Sequence, residues 1–427
     1  MPAVADEAAS LNAVRELLTK TEAKQMTVGP SITTVTFMRG DPTAAAASLQ
    51  ARLGEVIAAN PWLAGSLEGK CDMSEERLSL VWQSEPLAAR VAALFNPTLR
   101  GGKQKPALSL SSAMSYFDVC AAVGGSAAEI RTGAKCANKP EPLLALSVVP
   151  DAVRPADGFA VIFSVSHVIA DGHTYYKLLS MLSADGIVEP MAVARKHEFE
   201  EALVTAMGAE EHKWAYSGSV MCNVVCGLIC GGKPLIESYH IDEARIAAAK
   251  EAGAKEDGVE FVSTNDILTS TWANATSADA LLMPINFREK LAAYTPNDAG
   301  NYEGALVFGA ADFLTPGALR KTLSTGPPAY KRGGGAEVGP LPGGFKARIS
   351  MVTSWVFPSF SALSVEGAEQ LLHMPHCDVK MVPFEIAVVY RPQAGKIAVV
   401  YFTRAIDSAG LKSECPVGTK VLSADEC

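Results

Sequence analysis

The residues best placed to do chemistry lie in SVSHVIADGHTYY (164–176). With one residue between, His167 follows FAVIFSV (159–165), an unbroken apolar run that reads as a central strand covered on both faces. Asp171 and Gly172 stand four and five residues beyond the histidine. A histidine at the end of a core strand projects into a cleft while the scaffold holds its ring. Neutral imidazole can then take a proton from a hydroxyl or amine as that group attacks an acyl carbon. An aspartate past the turn need not touch the ring. It can pair with a basic residue and lock the loop that aims the histidine. Gly172 would permit a tight turn that a Cβ blocks. The short pattern His-x-x-x-Asp-Gly is also what an ordinary loop histidine before a turn produces, so other segments must agree with it.

Two further groupings carry possible chemistry. His167, Asp171 and His173, with His373, His376, Cys377 and Asp378, are residue types that ligate zinc in hydrolases, although their spacing matches no zinc signature. Cys222, Cys226 and Cys230 recur at helical i, i+4, i+8 spacing. Reversible palmitoylation, a thiolate metal site, or packing as small apolar residues on a buried or interfacial helix each fit them, and packing is the favoured reading. The nine cysteines form no Cys-x-x-Cys pair, which suits a reduced, cytoplasmic chain. The N-terminal residues lack the basic and apolar regions of a secretory signal. No apolar run reaches the ~18 residues of a transmembrane helix.

The elements that must position these groups alternate between strand and helix. SITTVTFM (31–38) and RLSLVW (77–82) read as strands. Asp41-Pro42 opens a helix with aspartate as N-cap, and Asn60-Pro61 ends it. A helix from Thr174 to Leu182 follows the histidine segment. Residues 196–235 read as a long connection. Beyond it come helices over about 242–252 and from 264, the latter capped by Ser263 with Asp266 at N3. Strands are expected at 280–287, 304–309, 349–356, 383–390 and 396–403, the last two as a hairpin. This is an α/β or α+β pattern in two similar-sized lobes. The chain of 427 residues has 37 Lys and Arg against 46 Asp and Glu, a net charge of −9, which argues against nucleic acid as a partner.

Five stretches in order resemble the BAHD acyltransferases, within the superfamily of chloramphenicol acetyltransferase and peptide-synthetase condensation domains. LQARLGEVIAANPWLAGSL (49–67) resembles the early helix and its "PxLAG" turn. FSVSHVIADGHTYYKLL (163–179) resembles the HxxxDG motif, and FVSTNDILTSTW (261–272) the helix that opens the second lobe. MPINFREKL (283–291) with DAGNYEGA (298–305) resembles the "NxR…GN" pair, and MVTSW (351–355) the late "TSW" strand. Two features depart from the superfamily. ALSVEGAEQ (362–370) stands where the family has DFGWG and keeps only Gly367. Ser166 stands where condensation domains carry a second histidine.

The resemblance implies two chloramphenicol-acetyltransferase-like lobes, mixed sheets flanked by helices, and an active-site channel at their interface. The lobes would be 1–195 and 241–427, with 196–240 crossing between them. It implies acyl transfer from a coenzyme A thioester to a hydroxyl or amine of a small molecule. His167 would be general base, without an acyl-enzyme and without a bound metal or permanent cofactor. Asp171, with Gly172, would be structural and paired with Arg288. Thr353, Ser354 and Trp355 are the oxyanion candidates. Asn301 would line the channel, and Tyr175 and Tyr176 would shape the acceptor side or fill the core. Lys331, Arg332, Lys346 and Arg348 are the candidates for the coenzyme A phosphates. A cytoplasmic monomer is expected. The alternatives are a non-catalytic or carrier-protein-dependent member of the superfamily, or a metal-dependent hydrolase.

Overall fold

Runs of β-branched and aromatic residues supply two large sheets. The computed structural model describes residues 13–71, 76–256, 258–357, 362–378, 381–421 and 423–424. Its strands include β1 (Ile32–Arg39), β2 (Leu144–Pro150), β3 (Gly158–Val165), β4 (Leu235–Ile241), β5 (Ala280–Asn286), β6 (Glu303–Gly309), β7 (Ile349–Ser354), β8 (Glu369–His376), β9 (Glu385–Tyr390), β10 (Ala398–Thr403) and β11 (Val417–Lys420). The first sheet is antiparallel in the order β8-β1-β3-β2. Every residue of β3 is buried, as the continuous apolar run requires of an interior strand. The second sheet has seven strands in the order β6-β5-β7-β9-β10-β4-β11. It is mixed, because β7 lies parallel to both β5 and β9 while the remaining pairs are antiparallel.

Helices cover these sheets. The described helices include α1 (Lys20–Val28), α2 (Pro42–Ala59), α3 (Gly172–Leu182), α4 (Phe199–Met207), α5 (Gly218–Cys230) and α6 (Thr264–Ala275). Asp41 caps α2 by accepting from Thr43 N at 2.8 Å, and proline opens its first turn. Leu49, Leu53, Val56 and Ile57 make the buried stripe of α2. Ser263 and Asp266 form a reciprocal capping box on α6. Residues 196–235 hold α4, a short helix at Ala209–Ala215 and α5, while β4 at the end of this stretch lies inside the seven-stranded sheet. Of the two packing readings for Cys222, Cys226 and Cys230, a buried position is not met. All three thiols are exposed, and Val220 is the one buried residue of α5. Among the described residues no helix is long and apolar enough to cross a membrane.

Sequence patterning did not reveal β8. Its residues come late in the chain, yet it pairs with β1 and completes the first sheet, while β7 before it and β9 after it belong to the second. A core cluster joins the two sheets: Val35 and Phe37 of β1, Ile162 of β3 and Met374 of β8 pack with Val388 and Tyr390 of β9 and Phe402 of β10. The β8 segment also buries two histidines that sequence alone grouped as metal ligands. His373 Nδ1 lies 2.8 Å from Thr36 Oγ1 and its Nε2 3.1 Å from Tyr176 OH. His376 Nε2 lies 3.2 Å from Glu129 Oε1. Among the described residues no three His, Cys, Asp or Glu side chains come together as a metal site.

These histidines titrate in opposite directions. Burial pushes His373 down to about 3. Burial also opposes charge on His376, but the neighbouring Cys120 and Glu129 lift it to about 9. An unfolded histidine titrates near ~6.5. His376 therefore stabilises the fold fully below that pH, and its contribution is lost as pH rises through about 9. His373 contributes above ~6.5 and is lost as pH falls toward about 3. Melting temperature measured across this range should fall at both ends, and His376→Asn should flatten the alkaline limb. An alkaline limb unchanged by that substitution rejects the assignment.

Candidate active site

The chain leaves β3 at Val165 and enters α3 at Gly172, and the six residues between them form the loop that presents His167. Val168, Ile169 and Ala170 are fully buried, while His167 is partly exposed beside them. Ile169 N donates to Ser166 O at 3.1 Å, which closes the turn. Asp171 is the N-cap of α3 and accepts from Thr174 N at 2.9 Å. Its other oxygen accepts from Arg288 Nη1 at 2.6 Å and from Tyr302 N at 2.9 Å. Both side chains of the ion pair are essentially out of solvent, at 0% for Arg288 and 1% for Asp171.

A buried guanidinium must satisfy five N–H donors. Arg288 does so. Beyond Asp171, it donates to Asp298 O at 2.9 Å, Asn286 Oδ1 at 3.0 Å, Gly300 O at 3.0 Å and Thr174 Oγ1 at 3.1 Å. Burial works to raise the Asp171 carboxyl, but the Arg288 charge and the Thr174 N–H hold it below the usual carboxylate range. The pair is thus ionised, and it ties the His167 loop to the segment after β5.

A second buried pair lies behind the ring. Glu22 of α1 accepts from Arg195 Nε at 2.9 Å, with both side chains at 0% exposure. The other Glu22 oxygen accepts from the backbone N and from Nδ2 of Asn301, each at 3.2 Å. Asn301 Nδ2 also reaches the carbonyls of His167 at 2.9 Å and Val168 at 3.3 Å. Every one of these partners is an acceptor, so the amide nitrogen must face them. Oδ1 is then left toward His167 Nδ1, 3.0 Å away. An amide oxygen only accepts, so Nδ1 carries the hydrogen. In the neutral ring Nε2 keeps its lone pair. The preceding Gly300 adopts φ +125°, and a Cβ there would stand 3.0 Å from Arg195 Cζ, so only glycine allows this packing.

His167 opens onto a cavity of about 370 Å³ whose walls come from both sheets. Thr353, Ser354 and Trp355 line it, with Phe357, Asn286 and Glu303. The Trp355 backbone N–H is spent on Val389 O at 2.7 Å and is not a donor to the cavity. Gly172 also lines the cavity, but not as a tight turn. Its backbone is helical, and a Cβ would meet the Phe357 ring at 3.0 Å. The glycine makes room for that ring. Tyr175 and Tyr176 are buried in the core, where Tyr175 OH donates to Phe163 O at 2.9 Å. Neither lines the cavity, nor do Lys331, Arg332, Lys346 and Arg348. Arg332 is engaged with Asp312 at 2.6 Å and Arg348 with Asp279 at 2.8 Å, whereas Lys331 and Lys346 are exposed.

Sequence reasoning missed Glu22, Arg195 and Glu303. The signal for Glu22 was present as Thr19-x-x-Glu22, a capping box whose two bonds are formed at 3.0 and 3.3 Å. Glu303 stands two residues after Asn301, the spacing that puts side chains on one side of an extended chain. Nothing local marks Arg195.

Arg288→Ala would leave Asp171 buried without its cation. We expect a loss of roughly 3–5 kcal/mol in denaturant unfolding, together with loss of any activity that depends on His167. Unchanged folding and turnover would sink this assignment.

No family model and no curated protein matches the sequence. Solved structures do match in shape. Vinorine synthase, a BAHD acyltransferase, is 13% identical with a TM-score of 0.58, over 94% of this chain and 94% of its own. TRI101 of F. graminearum, of the same family and complexed with coenzyme A and deoxynivalenol, is 13% identical with a TM-score of 0.58, over 94% and 97%. The first condensation domain of the CDA synthetase is 14% identical with a TM-score of 0.53, over 94% and 93%. Together with the two sheets and the core that joins them, these matches give the chain the two-lobed chloramphenicol-acetyltransferase-like fold that BAHD acyltransferases share with condensation domains.

Proposed function

We propose that the chain transfers an acyl group from a coenzyme A thioester to a hydroxyl or amine of a small molecule. The observation that carries this reading is the imidazole of His167, with Nδ1 held by Asn301 Oδ1 at 3.0 Å and the ring on a cavity wall. Nε2 takes the acceptor's proton as its oxygen or nitrogen attacks the thioester carbonyl. The oxyanion accepts a hydrogen bond from a side chain of the Thr353-Ser354-Trp355 segment. Collapse expels the thiolate, which takes the proton from Nε2, so no acyl-enzyme forms. Asp171, Gly172 and Arg288 hold the loop and touch no reacting atom.

Coenzyme A would enter from the second lobe. Of the four candidates, Lys331 and Lys346 are the ones free for its phosphates, because Arg332 and Arg348 are tied to acidic partners. Tyr175 and Tyr176 act through the core. In this reading the lobes are 1–195 and 241–427, residues 196–240 cross between them, and the protein works as a cytoplasmic monomer. The same chemistry runs from a carrier-protein thioester, so donor choice is part of the test.

The test is thioester consumption with a panel of acyl-coenzyme A donors, one acyl-carrier thioester, and alcohol and amine acceptors. His167→Ala should lower turnover by about 10²–10⁴-fold while leaving the melting temperature nearly unchanged. Equal slow consumption by wild type and variant rejects acyl transfer.

A further inference from the structure

Glu303 is the group the proposed mechanism leaves without a role. Its Oε1 lies 3.7 Å from His167 Nε2, and its side chain keeps 26% of its exposure. Among the described residues no hydrogen-bond donor reaches this carboxylate. Arg288, the cation that acts on it electrostatically, has all five donors spent elsewhere. Asp171 and Tyr216 are the other titratable groups in its field, and Asp171 is already paired. Among the described residues no lysine or arginine lines the cavity, and its other walls include the aromatic rings of Trp355, Phe357, Phe384 and Phe402.

With Nδ1–H given to Asn301, two acceptors face each other across 3.7 Å: the Nε2 lone pair and the Glu303 carboxylate. Such a pair calls for a donor with more than one hydrogen. A nitrogen about 2.9 Å from each atom fits between them. An alkylammonium has three N–H donors and can satisfy both acceptors at once. A hydroxyl has one O–H, so an alcohol that gives it to His167 has none left for the carboxylate.

We propose that Glu303 receives the acceptor as an apolar primary alkylammonium ion and takes its first proton, leaving His167 to take the second as the amine attacks the thioester. This rests on the acyl-transfer reading and narrows its acceptor to amines. In the first step the ammonium N–H bond breaks, and its proton goes to the Glu303 carboxylate, giving a neutral amine and a neutral carboxyl. In the second the C–N bond forms, the second N–H bond breaks toward Nε2, and the C–S bond breaks. The thiolate recovers the proton from Nε2, and Glu303 returns its own to water. The sum is ammonium plus thioester to amide plus thiol plus one proton. Burial raises the Glu303 carboxyl, offset in part by His167 and Arg288, which brings it nearer to an ammonium in proton affinity.

The experiment uses the full chain with the donor it consumes best and two matched acceptor pairs, phenethylamine against 2-phenylethanol and tryptamine against tryptophol. Wild type should favour each amine over its alcohol in kcat/KM by at least about tenfold. Glu303→Gln should cut that ratio by at least about tenfold, mainly through KM for the amine. It should also move the acid limb of amine turnover to higher pH, since only free amine then reacts. Preference for the alcohols, or an equal loss for both acceptors in the variant, overturns the inference and leaves acyl transfer standing. Thioesters left untouched with every acceptor overturn both. If Glu303→Gln fails to fold, the wild-type ratio alone decides.

Discussion

The structure turns on the buried ion pair between Asp171 and Arg288. Two charges taken out of water cost several kcal/mol each unless geometry and hydrogen bonds repay them. Here the repayment is complete on the arginine side, where each N–H finds an acceptor. A pair of this kind adds little net stability over a well-packed apolar pair. What it adds is position. The carboxylate caps α3, receives Tyr302 N and meets the guanidinium at once. The end of β3, the start of α3 and the segment leading to β6 are therefore fixed relative to one another, and His167 is aimed by that agreement.

Glu22 and Arg195 do from behind what Asp171 and Arg288 do from the side. Glu22 fixes the Asn301 amide, and the amide fixes which ring nitrogen of His167 bears hydrogen. The protonation pattern of the ring is thus set two residues away from it, by a carboxylate near the start of the described chain. Both buried pairs lie outside the cavity wall that would meet a substrate, apart from Asp171. They are fully desolvated and hydrogen-bonded, so the loop between them has little freedom.

The parts legible in the sequence were those whose cause is local. The Asp41-Pro42 start of α2, the capping box of α6 and the apolar run of β3 follow from near neighbours in the chain. The Asp171–Arg288 pairing was reached through resemblance, since 117 residues separate the partners. Arg195 was invisible because its meaning depends on Glu22, 173 residues earlier. β8 was missed because LLHMPH carries a proline and polar side chains that satisfy themselves only across the sheet, as His373 does with Thr36. Gly172 was assigned a backbone role, yet the space it leaves is filled by Phe357, a residue no local pattern connects to it.

The late arrival of β8 also has a consequence for biosynthesis. β1 and β3 can pair as soon as the first lobe has emerged, but the outer edge of β1 then waits about 200 residues of further chain for its partner. Throughout that interval a strand with seven of its eight residues destined for burial presents unpaired N–H and C=O groups. A chain stopped before β8 would keep that edge open for good. The first sheet therefore takes its last strand from chain that is made long after its other three.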